Sequence, residues 1–249
     1  MSALPSQSAP VRRLGVIGDL HGEDRRLAGV LEWFFGQQVD ALVCTGDIAD
    51  GRGCINRSCE LLRQGAVHTV AGNHDRWLLS DKVRHVMDAH SKDELTDDNL
   101  MYVAELKRQR SLETTNGTLL LCHGAAEDDM ARIWPGRTPG EEKRSKALDE
   151  VIESQRFSYV INGHMHFRVL IDFVPDSANL FMCKRAFANS FKLLLARDGR
   201  NWITGQAKLS GGVRQWVVVG MDSACICGME IGADSVCLGF HATPDHPSE

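Results

Sequence analysis

The sequence predicts an α/β fold with a largely parallel sheet, and three observations carry that expectation. Apolar runs of strand length alternate with amphipathic helical stretches over the first third of the chain, the pattern of βαβ units. Each of those runs ends in a glycine-containing turn rich in Asp, His or Asn, where open α/β sheets hold their sites. From residue 167 onward, strands follow one another without long helices, which suggests a second sheet packed against the first.

Taken in order, residues 12–18 form a first strand ending in Asp19-Leu20-His21-Gly22. Residues 23–36 carry Leu27, Val30, Leu31 and Phe34 on one helical face. The apolar run 40–45 leads into Gly46-Asp47-Ile48-Ala49-Asp50-Gly51, whose glycines allow a sharp turn and close approach. Residues 54–64 read as a helix stopped by Gly65. Residues 67–71 form a third strand delivering Gly72-Asn73-His74-Asp75.

Residues 76–116 change character, becoming polar and helical, and read as a cap-like insertion. Within it Leu100, Val103, Ala104 and Lys107 fall at helical spacing. Residues 117–123 return to a strand ending in His123, and residues 127–140, with Pro135 and Pro139, form a long loop of the sort that lines sites. A charged helix over 141–155 precedes a strand over 157–162 that delivers Gly163-His164-Met165-His166. Later strands are expected over 167–174, 187–196, 202–208 and 213–219, with a hairpin turn at Asp198-Gly199. Residues 1–10 read as a disordered lead-in. Residues 224–249 form an unassigned glycine- and cysteine-rich extension, frayed from 241. The whole of 1–249 is expected to form one domain.

Composition bounds the function. Among 249 residues, 43% are hydrophobic and 24% charged, enough for a sizeable core. With 28 basic and 33 acidic side chains the net charge is −5, so a strongly cationic nucleic-acid binder is not expected. No run approaches a membrane span, and the N-terminus lacks a secretory pattern. The eight cysteines have no CxxC pairing and several sit in apolar runs. A reducing, cytoplasmic location is expected, without a disulfide framework.

Asp19, His21, Asp47, Asn73, His74, His123, His164 and His166 all lie at strand ends. Singly, each is an ordinary turn, cap or core residue. Together, from separate junctions and without cysteine, they suit a metal of borderline softness held by nitrogen and oxygen. Residues two apart, such as His164 and His166, point to opposite sides if extended, but a glycine-led turn can aim both inward.

The order DxH, GDxxDG, GNHD, H, GHxH resembles the calcineurin-like metallophosphoesterase superfamily, over residues 18–166. The resemblance implies a two-sheet β-sandwich flanked by α-helices in four αββα layers, with two divalent metals at its top. It assigns Asp19, His21, Asp47 and His166 to one metal, and Asp47, Asn73, His123 and His164 to the second, with Asp47 as the bridge. Two carboxylates against two divalent cations leave such a site positive, so it attracts a phosphate. A metal pair lowers the pKa of a bridging water and clamps phosphoryl oxygens for in-line attack by the hydroxide. The resemblance leaves His74 beside the metals, as proton donor to the leaving group, with Asp50 orienting it.

Asp19-Leu20-His21-Gly22 looks like the opening of phosphoprotein phosphatases and symmetrical dinucleoside tetraphosphatases. Those follow the second motif with Asp-Arg-Gly or Asn-Arg-Gly, whereas here the order is Asp50-Gly51-Arg52. Gly-Asn-His-Asp is more like small bacterial phosphodiesterases. A phosphodiesterase acting on a small organic or nucleotide phosphoester is therefore expected, with manganese as the metal, although iron, zinc, nickel and cobalt accept the same ligands. The alternatives are a phosphomonoesterase (nucleotide or protein phosphatase), a nuclease, or a metal-bearing scaffold without turnover. Arg52, Arg76 and Arg132 are candidate phosphate contacts. Nucleic acid is not favoured as a partner.

Overall fold

The first strand, β1 (Arg13–Ile17), is buried at its last four positions because its sheet is covered on both faces. In the computed structural model, which describes residues 9–86, 88–133, 145–166, 169–174, 182–185, 205–208, 215–219, 225–231 and 235–242, this strand lies near the middle of one of two six-stranded sheets. Parallel partners lie on one side of it, β2 (Ala41–Cys44) and then β3 (His68–Thr69). On its other side run β11 (Cys225–Ile231), β12 (Ser235–Ala242) and β9 (Gly205–Lys208), all paired antiparallel.

The second sheet has the order β4 (Gln109–Thr114), β5 (Gly117–Cys122), β6 (Tyr159–Asn162), β10 (Gln215–Val219), β7 (Val169–Val174), β8 (Met182–Arg185). Here β5, β6 and β10 are mutually parallel, and the outer pairs are antiparallel.

Helices cover both sheets. The apolar stripe of α1 (Asp24–Gly36) is Leu27, Val30, Leu31 and Phe34, as the helical period predicts. It shares a core with α2 (Ile55–Gln64), with Val103 of α4 (Asp97–Glu105), and with Ile17, Leu42 and Cys44 of the first sheet. Leu148, Val151 and Ile152 of α5 (Lys146–Glu153) pack on Leu120, Cys122 and Val160 of the second. The alternate strand residues Leu14, Val16, Val43, Leu119, Leu121 and Ile161 are equally buried and face the other way. The result is the expected two-sheet α/β sandwich.

Three local expectations need correction. The stretch 76–116, expected to be a polar, helical insertion, holds α3 (Asn73–Leu79), a 3-10 turn (Lys92–Glu94) and α4, but ends in the strand β4. Its polar alternation hid an edge strand whose one neighbour, β5, is reached by a tight turn. In α4, Ala104 is exposed and Lys107 lies beyond the helix; Asn99 and Val103 are the buried positions. Helix α2 stops at Gly65 as expected, with Gly65 right-handed and the following Ala66 at φ 49°. The expected strand 187–196 and the turn at Asp198-Gly199 lie outside the described residues.

The third correction concerns the C-terminal extension. The later strands do not build the second sheet by themselves, because β9, β11 and β12 join the first. β11 pairs with β1 along all five residues of that strand, from Arg13↔Glu230 to Ile17↔Ile226, and β12 extends to Ala242, past the expected fraying point at 241. Truncation before residue 225 therefore exposes a flank of β1 and removes two strands. The truncated chain is expected to lose its cooperative thermal transition by circular dichroism.

Candidate metal centre

The site lies at the carboxyl ends of parallel strands from both sheets. Asp19 and His21 follow β1, Asp47 follows β2, and Asn73 and His74 open α3 after β3. His123 follows β5, and His164 and His166 follow β6. All nine residues expected from the sequence, Asp50 included, come together here. Five of them, His21 (φ 45°), Asp47 (φ 47°), Asp50 (φ 67°), His164 (φ 70°) and His166 (φ 53°), sit in the left-handed region. Such backbone is costly for non-glycine residues and persists where surrounding structure enforces it. Both histidines of the Gly163-led turn face the site as expected, and His21, His164 and His166 themselves take the left-handed conformation there.

The flanking glycines act mainly by close approach. Gly46 takes φ 98°, but at Gly51 a Cβ would lie 1.6 Å from the carbonyl oxygen of His21. At Gly163 it would lie 1.9 Å from Asp19 Oδ1. Gly163→Ala must therefore displace the Asp19 carboxylate. A destabilisation of about 1–3 kcal/mol, typical of overpacking, together with weakened metal binding, is the expected outcome in thermal melts and metal titrations.

Asp75 ties the loops together. Its buried carboxylate accepts the N–H groups of Ile48 and Ala49 (2.8 and 3.0 Å) on Oδ1 and of Gly72 (2.9 Å) on Oδ2. Burial and the nearby Asp47 charge push its pKa up to about 7, against those three donors. Since the three N–H groups need an acceptor, the carboxylate form is the one the fold is built around. This role was invisible in sequence, where Asp75 reads as the last letter of a motif.

Asp19, His21, Asp47 and His166 each offer one ligand atom, and those atoms all lie within 4.8 Å of one another. His21 Nε2 and His166 Nε2 face each other at 3.2 Å, and His166 Nε2 is 3.1 Å from Asp19 Oδ2. His21 Nδ1 faces the carbonyl oxygens of Ala49 and Asp50 at 3.2 and 3.0 Å. Carbonyls only accept, so Nδ1 carries the proton and the Nε2 lone pair points into the cluster.

The same logic holds on the other side. His123 Nδ1 donates to the Thr45 carbonyl (2.8 Å), which turns Nε2 toward Asn73 Oδ1 (3.0 Å) and Asp47 Oδ2 (3.3 Å). The His164 ring packs against that of His123, centroids 5.3 Å apart, and the His164 N–H donates to Asp19 Oδ2 (2.7 Å). Asp47 thus faces both groups: Oδ2 lies 3.8 Å from His21 Nε2 as well, and Oδ1 accepts the His74 N–H (2.9 Å). Converging oxygens and ring nitrogens call for positive charge among them. Burial would lower the His123 pKa, yet Asp47 and Asp19 outweigh it and push it up to about 10, so without metal the Nε2 proton supplies that charge and a divalent ion would take its place. The donor set, two carboxylates with imidazoles and an amide oxygen, fits a divalent metal of borderline softness.

His74 stands beside this cluster. Its Nδ1 meets Asp50 Oδ2 at 2.7 Å, and its ring lies 5.0 Å from that of His21. Burial would lower its pKa, but the Asp50 hydrogen bond and the charges of Asp47, Asp50 and Asp75 prevail and raise it. For Asp50 burial works upward, and the His74 hydrogen bond with the Arg84 charge holds the carboxyl below its usual range. Of the arginines expected near phosphate, Arg76 makes a two-pronged hydrogen bond to Asp129 (2.6 and 2.8 Å), and Arg52, largely exposed, pairs with Asp88 at 3.3 Å. Arg132 is exposed and its charge reaches His164. Arg84 and His90, which contact Asp50 from some 34–40 residues away, carry no motif that sequence reading could find.

Among the described residues no helix is long and apolar enough to cross a membrane. No curated protein matches the chain significantly. Among solved structures it is similar to a metallophosphoesterase from Sphaerobacter thermophilus (19% identity, TM-score 0.55, covering 94% of this chain and 89% of that one). A hypothetical protein from Pyrococcus horikoshii OT3 gives 10% identity and a TM-score of 0.60, over 94% and 89% of the two chains. A conserved phosphoesterase-like protein from Streptococcus pneumoniae TIGR4 gives 12% and 0.50, over 97% and 96%. At these identities the likeness speaks for the fold. The family model described as calcineurin-like phosphoesterase matches residues 12–168, which include all nine site residues, and the chain belongs to that family.

Proposed function

We propose that the chain is a metal-dependent phosphodiesterase acting on a small organic or nucleotide phosphoester. The observation that carries this reading is the convergence of Asp19, His21, Asp47 and His166 within 4.8 Å beside a separate His74–Asp50 pair. Asp19, His21, Asp47 and His166 would hold one divalent ion, and Asp47, Asn73, His123 and His164 would hold a second. A bound metal pair supplies an activated water and neutralises charge on the phosphoryl oxygens. Backbone carbonyls at Nδ1 of His21 and His123 keep both rings in the ligating tautomer. His74, its Nδ1–H held by Asp50, presents Nε2 to the leaving oxygen and gives it a proton.

The preference for a diester is supported by the arginines. Among the described residues Arg76 is tied to Asp129 and Arg52 to Asp88, so of the three candidate phosphate contacts Arg132 is left to meet the extra negative charge of a monoester. Hydrolysis of bis(p-nitrophenyl) phosphate and of p-nitrophenyl phosphate with manganese tests this. The expected result is faster turnover of the diester. Preferential turnover of the monoester overturns the diesterase reading in favour of a monoesterase. Full metal loading with no hydrolysis of either supports the scaffold alternative.

A further inference from the structure

We propose that Arg84 is a positioning residue for the proton donor, locking the Asp50 carboxylate so that His74 keeps one orientation; the inference rests on the reading of His74 above. Arg84 lies in the excursion between α3 and α4, far from every motif, and its side chain is only 7% exposed. Nε sits 2.7 Å from Asp50 Oδ2, the same oxygen that meets His74 Nδ1 at 2.7 Å. The Arg84 Nε–H is off the line of a hydrogen bond, so the contact is an ion pair. Its other nitrogens donate to the carbonyls of Lys82 (3.0 Å) and His90, which fix the guanidinium.

His90 closes the clamp from the same excursion. Its N–H donates to Asp50 Oδ1 (3.1 Å), and its Nδ1 accepts the Asp50 N–H (2.9 Å). With Nδ1 accepting, the proton is on Nε2, which donates to the Gly53 carbonyl (3.2 Å), so a single tautomer satisfies every contact. The Gly51 N–H adds a bond to the Asp88 carbonyl (2.9 Å). A buried guanidinium is retained against its desolvation penalty only where it is paired, and here its charged partner is the carboxylate that holds the proton donor. With His74 and Arg84 on one oxygen and the His90 N–H on the other, Asp50 cannot rotate. His74 then cannot swing, and a misplacement of about 1 Å in such a group costs about 10²-fold in rate.

The test compares Arg84→Gln and Arg84→Lys with the wild type, each loaded with manganese. The probes are diphenyl phosphate and bis(p-nitrophenyl) phosphate. Nitrophenolate leaves readily without a proton and phenolate does not, so loss of His74 alignment falls on the first probe. Arg84→Gln is expected to lower kcat for diphenyl phosphate by about 10- to 100-fold, within the range of general-acid contributions, and for the nitrophenyl ester by less than about 3-fold. KM and metal content stay unchanged. Arg84→Lys, which keeps the charge but not the carbonyl contacts, falls between, and it serves as the test if Arg84→Gln does not fold. Proton NMR of the zinc-loaded proteins, which are diamagnetic, gives a readout independent of turnover: the His74 Nδ1–H resonance, assigned by its absence in His74→Ala, is protected from exchange in the wild type and broadens in the Arg84 variants. Equal loss on both esters, or an unchanged resonance, overturns the role of Arg84. Absence of hydrolysis by the wild type overturns the phosphodiesterase reading instead, and the resonance still decides on Arg84.

Discussion

Asp47→Asn is expected to abolish phosphoester hydrolysis and to weaken metal binding by more than the 10- to 100-fold that outer-shell changes cost. Oδ2 of Asp47 lies between His123 Nε2 at 3.3 Å and His21 Nε2 at 3.8 Å, so it faces both halves of the centre. An amide there loses the negative charge and turns either a neutral oxygen or an N–H toward lone pairs. The metal-free protein should weaken as well. Burial would raise the Asp47 pKa, but His123, with His74 and His21, holds the carboxyl below its ordinary range. A depressed carboxyl pKa is stability present at neutral pH, so Asp47→Asn lowers the apo melting temperature, by about 2–4 °C for each ~1 kcal/mol lost. An apo melting temperature unchanged or raised would mean that repulsion from neighbouring carboxylates outweighs the pairing with His123. Elemental analysis and calorimetry on the same samples separate metal loss from loss of fold stability.

His74→Ala is expected to reduce kcat by 10²–10⁴-fold, the usual range for a positioned proton donor, while metal content stays at the wild-type level. The imidazole is not among the atoms that converge within 4.8 Å, and its link to Asp47 is through the backbone N–H, which alanine keeps. Metal loss in this variant would remove His74 from the donor role. The pH dependence has a definite sign. The raised His74 pKa keeps the proton on the ring above its ordinary value near 6.5, and the donor is lost as pH rises through the raised value. The alkaline limb of kcat therefore reports His74. Asp50→Asn removes the hydrogen-bonded anion, lowers that pKa and moves the limb to lower pH. A limb unmoved by Asp50→Asn would mean that another group titrates there.

The site was legible because its chemistry is written in short, closely spaced blocks. GDxxDG, GNHD and GHxH each pair a glycine that something else approaches with the polar residues it lets in, as Gly163 shows against Asp19. The parallel core was legible because β1 and β2 are covered on both faces and read as unbroken apolar runs. What escaped depends on pairing across long separations. β11 reaches β1 over more than 200 residues, and its glycine-rich, cysteine-rich sequence lacks a strand's usual bulk. β4 alternates polar residues at a sheet edge and imitates the helices before it. Arg84, His90 and Asp75 act through contacts that no spacing rule encodes, the first two from an excursion without periodicity. Arg52 and Arg76 were reasonable phosphate contacts by type, and their carboxylate partners, Asp88 and Asp129, became visible only in three dimensions.

The most direct measurement is anomalous diffraction from crystals soaked in manganese. Two peaks about 3.5–4 Å apart, the spacing of two-metal hydrolytic sites, are expected, with Asp47 between them, Asp19, His21 and His166 on one, and Asn73, His123 and His164 on the other. A single ion, or ions bound away from these seven side chains, would contradict the assignment.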